Sequence, residues 1–282
     1  MDPASDNDPA AAAGASLVYY VSLGDSLSTG TQPVASGAQH STNQGYVDDV
    51  YAHYHAEATL KTSLTLVKLG CSGETTTAMI NGTGSECAYQ QGSQLNQALA
   101  FIKAHRSKIA LVTIDIGADD IVPCFSQTSV NTSCLDNGLA AVSRDLPKIL
   151  SALHEAVAAK TVIAGMSVYD PWLAYYLLGS TGKAVAAASL IDVAKYNTIV
   201  AADLAADRLK RADVWGAFST ADYTETAALA KLGTQPLDVA RICEWTWMCS
   251  GPPIGQNVHA NAAGYKQITG AFEKTIGTLS KP

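Results

Sequence analysis

Five short apolar runs recur along this chain with long helix-patterned stretches between them, and that alternation limits the folds open to it. The runs are Leu17–Leu23, Thr62–Leu69, Ile109–Ile116, Thr161–Val168 and a weaker one at Ala212–Phe218. They are near-continuous in apolar residues, as expected of strands buried on both faces. Helical patterns fill Val47–Glu57, Gly92–His105, Leu139–Ala159, Ala184–Leu209 and Ala260–Ser280. Such alternation predicts a parallel sheet with helices on both faces. Pro147 is expected to kink or restart the third helix. One domain is expected over residues 17–282, without internal repeats. The first 16 residues are rich in Ala, Asp, Pro and Ser and lack a basic start and an apolar stretch. They are expected to be a poorly ordered mature N-terminus carrying a start Met, with no signal peptide in this chain.

Charge and cysteine usage narrow the function classes. The net charge is −7 and no Lys/Arg cluster is present, so nucleic-acid binding has little electrostatic support. No apolar run reaches the ~20 residues that a bilayer-spanning helix needs. The six cysteines fall into three local pairs in loop-like stretches. Six allow 15 connectivities. Sequential pairing closes the shortest loops and predicts Cys71–Cys87, Cys124–Cys134 and Cys243–Cys249. Buried free thiols are the alternative. Zinc is disfavoured, because there is no CxxC and no nearby histidine. Disulfides imply an oxidising compartment, so a secreted protein is expected.

The strand ends carry the candidate chemistry. The first run ends in Gly24-Asp25-Ser26-Leu27, where Gly24 permits a tight turn and Ser26 follows immediately. The second is followed by Gly70-Cys71-Ser72-Gly73-Glu74-Thr75 and the third by Gly117-Ala118-Asp119-Asp120. Near the C-terminus stands Gln256-Asn257-Val258-His259. In an open α/β sheet these segments meet at the C-terminal edge of the strands. A serine there becomes a nucleophile if a base reaches it, and His259 is the strong candidate.

These four segments, in this order, resemble the blocks of the SGNH or GDSL hydrolases, which supply Ser, Gly, Asn and His. The resemblance spans roughly Tyr20 to Ala263. It implies a three-layer α/β/α sandwich of flavodoxin-like type with a mostly parallel five-stranded sheet. It also implies hydrolysis of carboxylic esters through a covalent acyl-enzyme. Ser26 would be the nucleophile and His259 the base, with the N–H groups of Ser26 and Gly73 donating to the oxyanion. The six cysteines and Glu244-Trp245-Thr246-Trp247-Met248 are similar to secreted actinobacterial members. No metal and no organic cofactor is implied. The partner is a small-molecule or lipid ester, and nothing demands more than a monomer.

Two positions depart from the family pattern. The third block is Gly-x-Asn-Asp in the family and has Asp119 in place of Asn. An ionised Asp offers no donor to an oxyanion and repels its charge. A weakened site, a neutral Asp119 with a raised pKa, and an introduced substitution all remain open. The last block is Asp-x-x-His in the family and has Gln256 in place of Asp. Gln256 cannot supply a charge, but its backbone carbonyl can accept from the His259 ring, which leaves a Ser–His dyad. Glu244 or Asp238 is a more distant acid without further support.

Blander readings stand beside these. Ser26 also suits a helix N-cap, His259 a helix start, Gly73 a disulfide loop, and Asp119 and Asp120 a turn. His53 and His55, two apart on a helix, do not share a face and suit a surface. The apolar stretch Asp170–Leu178 can line a pocket or a lid, though core packing is its commoner role. So it is for Trp245 and Trp247. Two other enzyme classes lack their motifs. There is no Gly-x-x-x-x-Gly-Lys-Ser/Thr for phosphate, and no mid-chain Gly-x-Ser-x-Gly. The serious rival is a catalytically impaired relative that keeps the fold and only binds.

Overall fold

The computed structural model describes residues 17–57, 60, 63–230 and 232–282; the segment 1–16 lies outside the described residues. The chain runs through strands β1 (Val18–Gly24), β2 (Gln32–Pro33) and β3 (Gln39–His40), then helix α1 (Tyr46–Ala56). Next come β4 (Leu64–Lys68), α2 (Thr76–Asn81), α3 (Gln94–Ala104), β5 (Ile109–Asp115) and α4 (Thr132–Ala156). The second half holds β6 (Val162–Met166), α5 (Gly179–Ala206), β7 (Lys210–Ala212) and α6 (Val214–Ala217). It ends with β8 (Thr226–Leu229), β9 (Gly233–Pro236), α7 (Leu237–Trp245) and α8 (Ala262–Ile276).

Five strands form one all-parallel sheet in the order β4-β1-β5-β6-β7. Every residue of the central strand β5 is buried, which is why its sequence is a continuous apolar run rather than an alternating one. One face is covered by α1 and α8, where Tyr46 stacks on Phe272 with ring centroids 4.8 Å apart. The other face carries α3, α4 and α5. The chain leaves β1 outward to β4 and then crosses back to β5. The strand order therefore reverses between β1 and β5, and a crevice opens beyond their C-terminal ends. Gly24 faces Asp115 at that end of the pair.

The first four predicted strands lie where the sequence places them; Thr62, at one expected start, is outside the described residues. The fifth does not. Its strand is Lys210–Ala212, and Val214–Ala217 is a short helix whose N-cap Asp213 accepts from the Gly216 N–H at 3.1 Å. The cap residue ends the extended run that the apolar residues alone suggested. Pro147 does not interrupt α4 either. The proline removes one backbone donor, whereas Leu146, Ile149, Leu150 and Leu153 around it are buried. The β8–β9 hairpin and α7 lie outside the expected elements. By length and composition the helical stretch Pro171–Ala206 could cross a membrane, although polar residues interrupt its apolar run. Its Val185, Val193, Tyr196, Val200 and Leu204 are buried within the fold.

Candidate active site

The turn after β1 is fixed from below by groups far away in sequence. Gly24 donates its N–H to Gln94 Oε1 at 2.7 Å, and Gln94 Nε2 donates back to the Gly24 carbonyl at 3.0 Å. The Asp25 N–H donates to the Asp115 carbonyl at 3.1 Å, and the Ser28 N–H to Asp115 Oδ2 at 3.1 Å. Tyr46 donates its hydroxyl to Asp115 Oδ1 at 2.5 Å. Gly24 has φ +140°, and a Cβ there would come within 2.3 Å of the Asp115 carbonyl oxygen. Only glycine fits this close approach. Ser26 is thereby held at the crevice, 8% exposed.

Burial drives both carboxyls of this turn upward, Asp115 to about 7 and Asp25, with Asp115 as a like charge, well above the usual carboxylate range.

His259 comes to the same crevice from the opposite end of the chain, 5% exposed. Its Nδ1 lies 2.7 Å from Asn257 Oδ1, and the same oxygen accepts the backbone N–H of His259 at 3.0 Å. A backbone N–H only donates, so the atom it meets is the amide oxygen and not the amide nitrogen. That oxygen can only accept, so Nδ1 carries the ring proton of the neutral imidazole and Nε2 is left as the acceptor. Tyr169 donates its hydroxyl to the Val258 carbonyl at 2.8 Å, and the Trp247 N–H donates to the His259 carbonyl at 3.0 Å. Burial pulls the His259 pKa down to about 4.

The contact with the His259 ring expected of the Gln256 backbone carbonyl is made by Asn257 Oδ1 instead, and the exposed Gln256 side chain accepts from Gln127 Nε2 at 2.6 Å. Neither distant acid reaches the imidazole. Glu244 pairs with Arg241 at 2.7 Å, and Asp238 accepts from the Val239 N–H at the start of α7. The motif comparison draws attention to the residue three before the histidine. The usable signal was Asn two residues before it, because an Asn side chain bonds the backbone N–H two positions on.

Ser26, Gly73, Asp119 and His259 all line one cavity of about 250 Å³. Its apolar wall is Ile121, Val122, Val168, Pro171, Trp172 and Val193, and Gln39 of the β2–β3 hairpin also borders it. Trp172 stacks on Phe125 with centroids 3.8 Å apart, beside the Cys124–Cys134 disulfide. Part of the Asp170–Leu178 stretch thus faces the cavity, whereas Trp245 packs edge-on against Phe218. No hydrogen bond joins Ser26 Oγ to the His259 ring in this structure. Catalytic contacts of this kind commonly tighten only with substrate present. Gly73, on the cavity wall, has φ +77°, with no atom within 4 Å of where a Cβ would stand. All three disulfides have the sequential pairing. Among the described residues no group of three or more His, Cys, Asp and Glu side chains is placed to hold a metal ion.

A comparison with curated proteins finds no match. Solved structures do match. An extracellular lipase from Streptomyces rimosus is 20% identical with a TM-score of 0.58, over 92% of this chain and 99% of the lipase. A phospholipase A1 from Streptomyces albidoflavus is 19% identical with a TM-score of 0.55, over 92% and 100%. An acetylxylan esterase from Geobacillus stearothermophilus is 18% identical with a TM-score of 0.55, over 94% and 96%. At these identities the likeness is one of fold. The sequence profile described as the GDSL-like lipase/acylhydrolase family matches residues 22–267, which takes in all four blocks. The chain belongs to that family of hydrolases.

Proposed function

We propose that residues 17–282 form a secreted serine esterase that hydrolyses carboxylic esters through a Ser26 acyl-enzyme. The observation that carries this reading is the meeting of residues 26 and 259 on one small cavity wall, with the histidine held in the tautomer that leaves Nε2 free. Nε2 takes the Ser26 proton as Oγ attacks the ester carbonyl. The developing oxyanion is met by the N–H groups of Ser26 and Gly73. His259 then returns the proton to the leaving alcohol, and water repeats the sequence on the acyl-enzyme. Asn257 orients the ring in place of the family's aspartate and offers a dipole without a charge.

The apolar wall and the lipase and esterase relatives favour a small-molecule or lipid ester. Secretion is supported by the three disulfides and by the extracellular lipase among the relatives. Because His259 must be neutral to act, activity rises with pH through its titration near 4 and is then level on that limb.

The test is covalent labelling by a fluorophosphonate together with turnover of a short-chain p-nitrophenyl ester. Labelling and turnover that vanish in Ser26→Ala, with kcat down by about 10⁶, are expected. One observation favours the rival of a binding protein: neither Asn257 nor a neutral carboxyl nearby holds an anion for the imidazolium. An unlabelled, inactive parent protein would establish that rival.

A further inference from the structure

We propose that Asp119 acts as a neutral carboxylic acid whose O–H is the third donor to the substrate oxyanion, so that the site loses activity as this group ionises. The proposal rests on the esterase reading and deepens it. Asp119 follows β5, on the opposite side of the strand-order reversal from Ser26, and shares the cavity wall with Ser26, Gly73 and His259. It stands where the family's third block has Asn. An amide offers an N–H there, and a carboxylate offers only acceptors. A carboxylic acid has the same planar shape and one O–H.

The surroundings favour the acid. Asp119 Oδ2 is fully buried without a hydrogen-bond partner. The titratable groups that bear on it are almost all carboxyls. Asp25 approaches from the end of β1, Glu74 from the start of α2, Glu86 from the Cys71–Cys87 loop, and Asp120 from its own loop. Tyr196 of α5 is close by, and its hydroxyl is committed to the Ile116 carbonyl at 2.8 Å. His259, across the cavity, is itself held neutral by burial. Asp120 is engaged by the Thr76 N–H at 2.8 Å and the Thr76 hydroxyl at 3.0 Å.

The contrast with Asp145, on neighbouring α4, is direct. Asp145 is met by Arg144 and by Lys148 at 2.9 Å, and these cations hold its carboxyl far below the ordinary range. Arg144 is thus engaged by Asp145, and the charged groups that bear most on Asp119 are carboxyls. Burial first, and then the ring of like charges, pushes its pKa to about 8. An apolar site can keep a carboxylic acid neutral for use as a donor. No proton leaves Asp119 in the reaction; it donates a hydrogen bond to the oxyanion and retains its O–H when the tetrahedral species collapses. The productive state therefore needs His259 deprotonated and Asp119 protonated, a window from about 4 to about 8.

Two measurements decide the matter. The first is the infrared difference spectrum of the protein against Asp119→Asn, which isolates the C=O stretch of one protonated carboxyl without any need for activity. The second is the pH profile of kcat/KM on a p-nitrophenyl ester for the parent, Asp119→Asn and Asp119→Ala. The acid band is expected at neutral pH and is lost on titration near pH 8. Over the same range the rate ratio of Asp119→Asn to parent climbs about tenfold per pH unit. Asp119→Ala, which removes the donor at every pH, lowers kcat/KM about 10²–10³-fold. Absence of the band at neutral pH overturns the proposal, whether or not esters are hydrolysed. A band that titrates while the rate ratio stays flat overturns the donor role. Failure of the fluorophosphonate to label Ser26 removes the esterase reading and the donor role with it, and the band still reports the neutral state separately.

Discussion

The turn that carries Ser26 and the loop that carries His259 are built by opposite means. The first is held by Gln94, Asp115 and Tyr46, all far away in sequence and all buried. The second is held largely by its own neighbourhood: Asn257 caps the backbone and the ring of a residue two positions on. Trp247 closes the loop with backbone bonds, next to the Cys243–Cys249 disulfide. From elsewhere at the sheet's edge it receives the Tyr169 hydroxyl and, on its exposed side, the Gln127 amide. Ser26 is therefore placed by the fold, and His259 is aimed by a local turn. Damage to the first should cost stability; damage to the second should cost chemistry.

The largest effect expected from that difference falls on Asn257. Asn257→Ala should lower kcat by about 10²–10⁴, because the ring loses the acceptor that sets its tautomer. Because the buried His259 backbone N–H loses its acceptor as well, a destabilisation of about 1–3 kcal/mol accompanies that loss. Asn257→Asp restores an acceptor and adds a charge that favours the imidazolium, so most of the rate returns and the acid limb moves to higher pH. Gln256→Ala, by contrast, removes only an exposed contact with Gln127 and should leave the pH–rate profile in place. A loss in Gln256→Ala comparable to that in Asn257→Ala would end the assignment of the orienting role.

On the other side of the comparison stands Gly24→Ala. Its Cβ meets backbone at 2.3 Å, so neither the strand nor its neighbour can yield cheaply. A destabilisation of about 3 kcal/mol or more is expected, read as a lower denaturant midpoint. Gly73→Ala is the milder counterpart. Nothing crowds the added methyl, and only the positive φ opposes it, at a cost of about 1–2 kcal/mol. Its N–H survives, so kcat should fall far less than in Asn257→Ala. Equal stability of the two alanine variants would contradict the account of the turn.

The smallest effect is a tilt of stability with pH. The buried carboxyls of Asp115, Asp119 and Asp170 titrate near 7, 8 and 7, above their unfolded values. The folded state keeps protons that the unfolded chain has released, so stability falls as pH rises from about 4 towards about 8. His259 acts in the opposite sense, adding stability as pH rises from about 4 to its unfolded value near 6.5. Three carboxyls outweigh one imidazole. Thermal unfolding should therefore be a few degrees higher at mildly acidic pH than at mildly alkaline pH, and Asp119→Asn should flatten the slope. A melting temperature that climbs steadily with pH would refute the neutral-carboxyl description.

Much of this was legible before any coordinates. The strands of the sheet core are visible because both faces are buried, which leaves unbroken apolar runs such as Ile109–Ile116. The cysteine pairs are visible because each closes a short loop. The four blocks announce a hydrolase because their residue types supply a nucleophile, donors and a base in order. The fifth strand was misplaced because apolar residues alone do not reveal that Asp213 caps a helix there. The β8–β9 hairpin was invisible because its strands are short, half exposed and without alternation. Gln256 drew the orienting role through its place in the motif, while the backbone turned Asn257 inward instead.

The linear chain determined its family, its layered architecture and the four candidate blocks, because those depend on residue type and periodicity. Tertiary structure decided their states. That carboxyls bear on Asp119, that burial raises Asp25 and Asp115 beside Ser26, and that His259 is shielded from water follow from contacts between segments remote in sequence. Protonation depends on burial and on the charges nearby in space, and neither is written in the order of the residues.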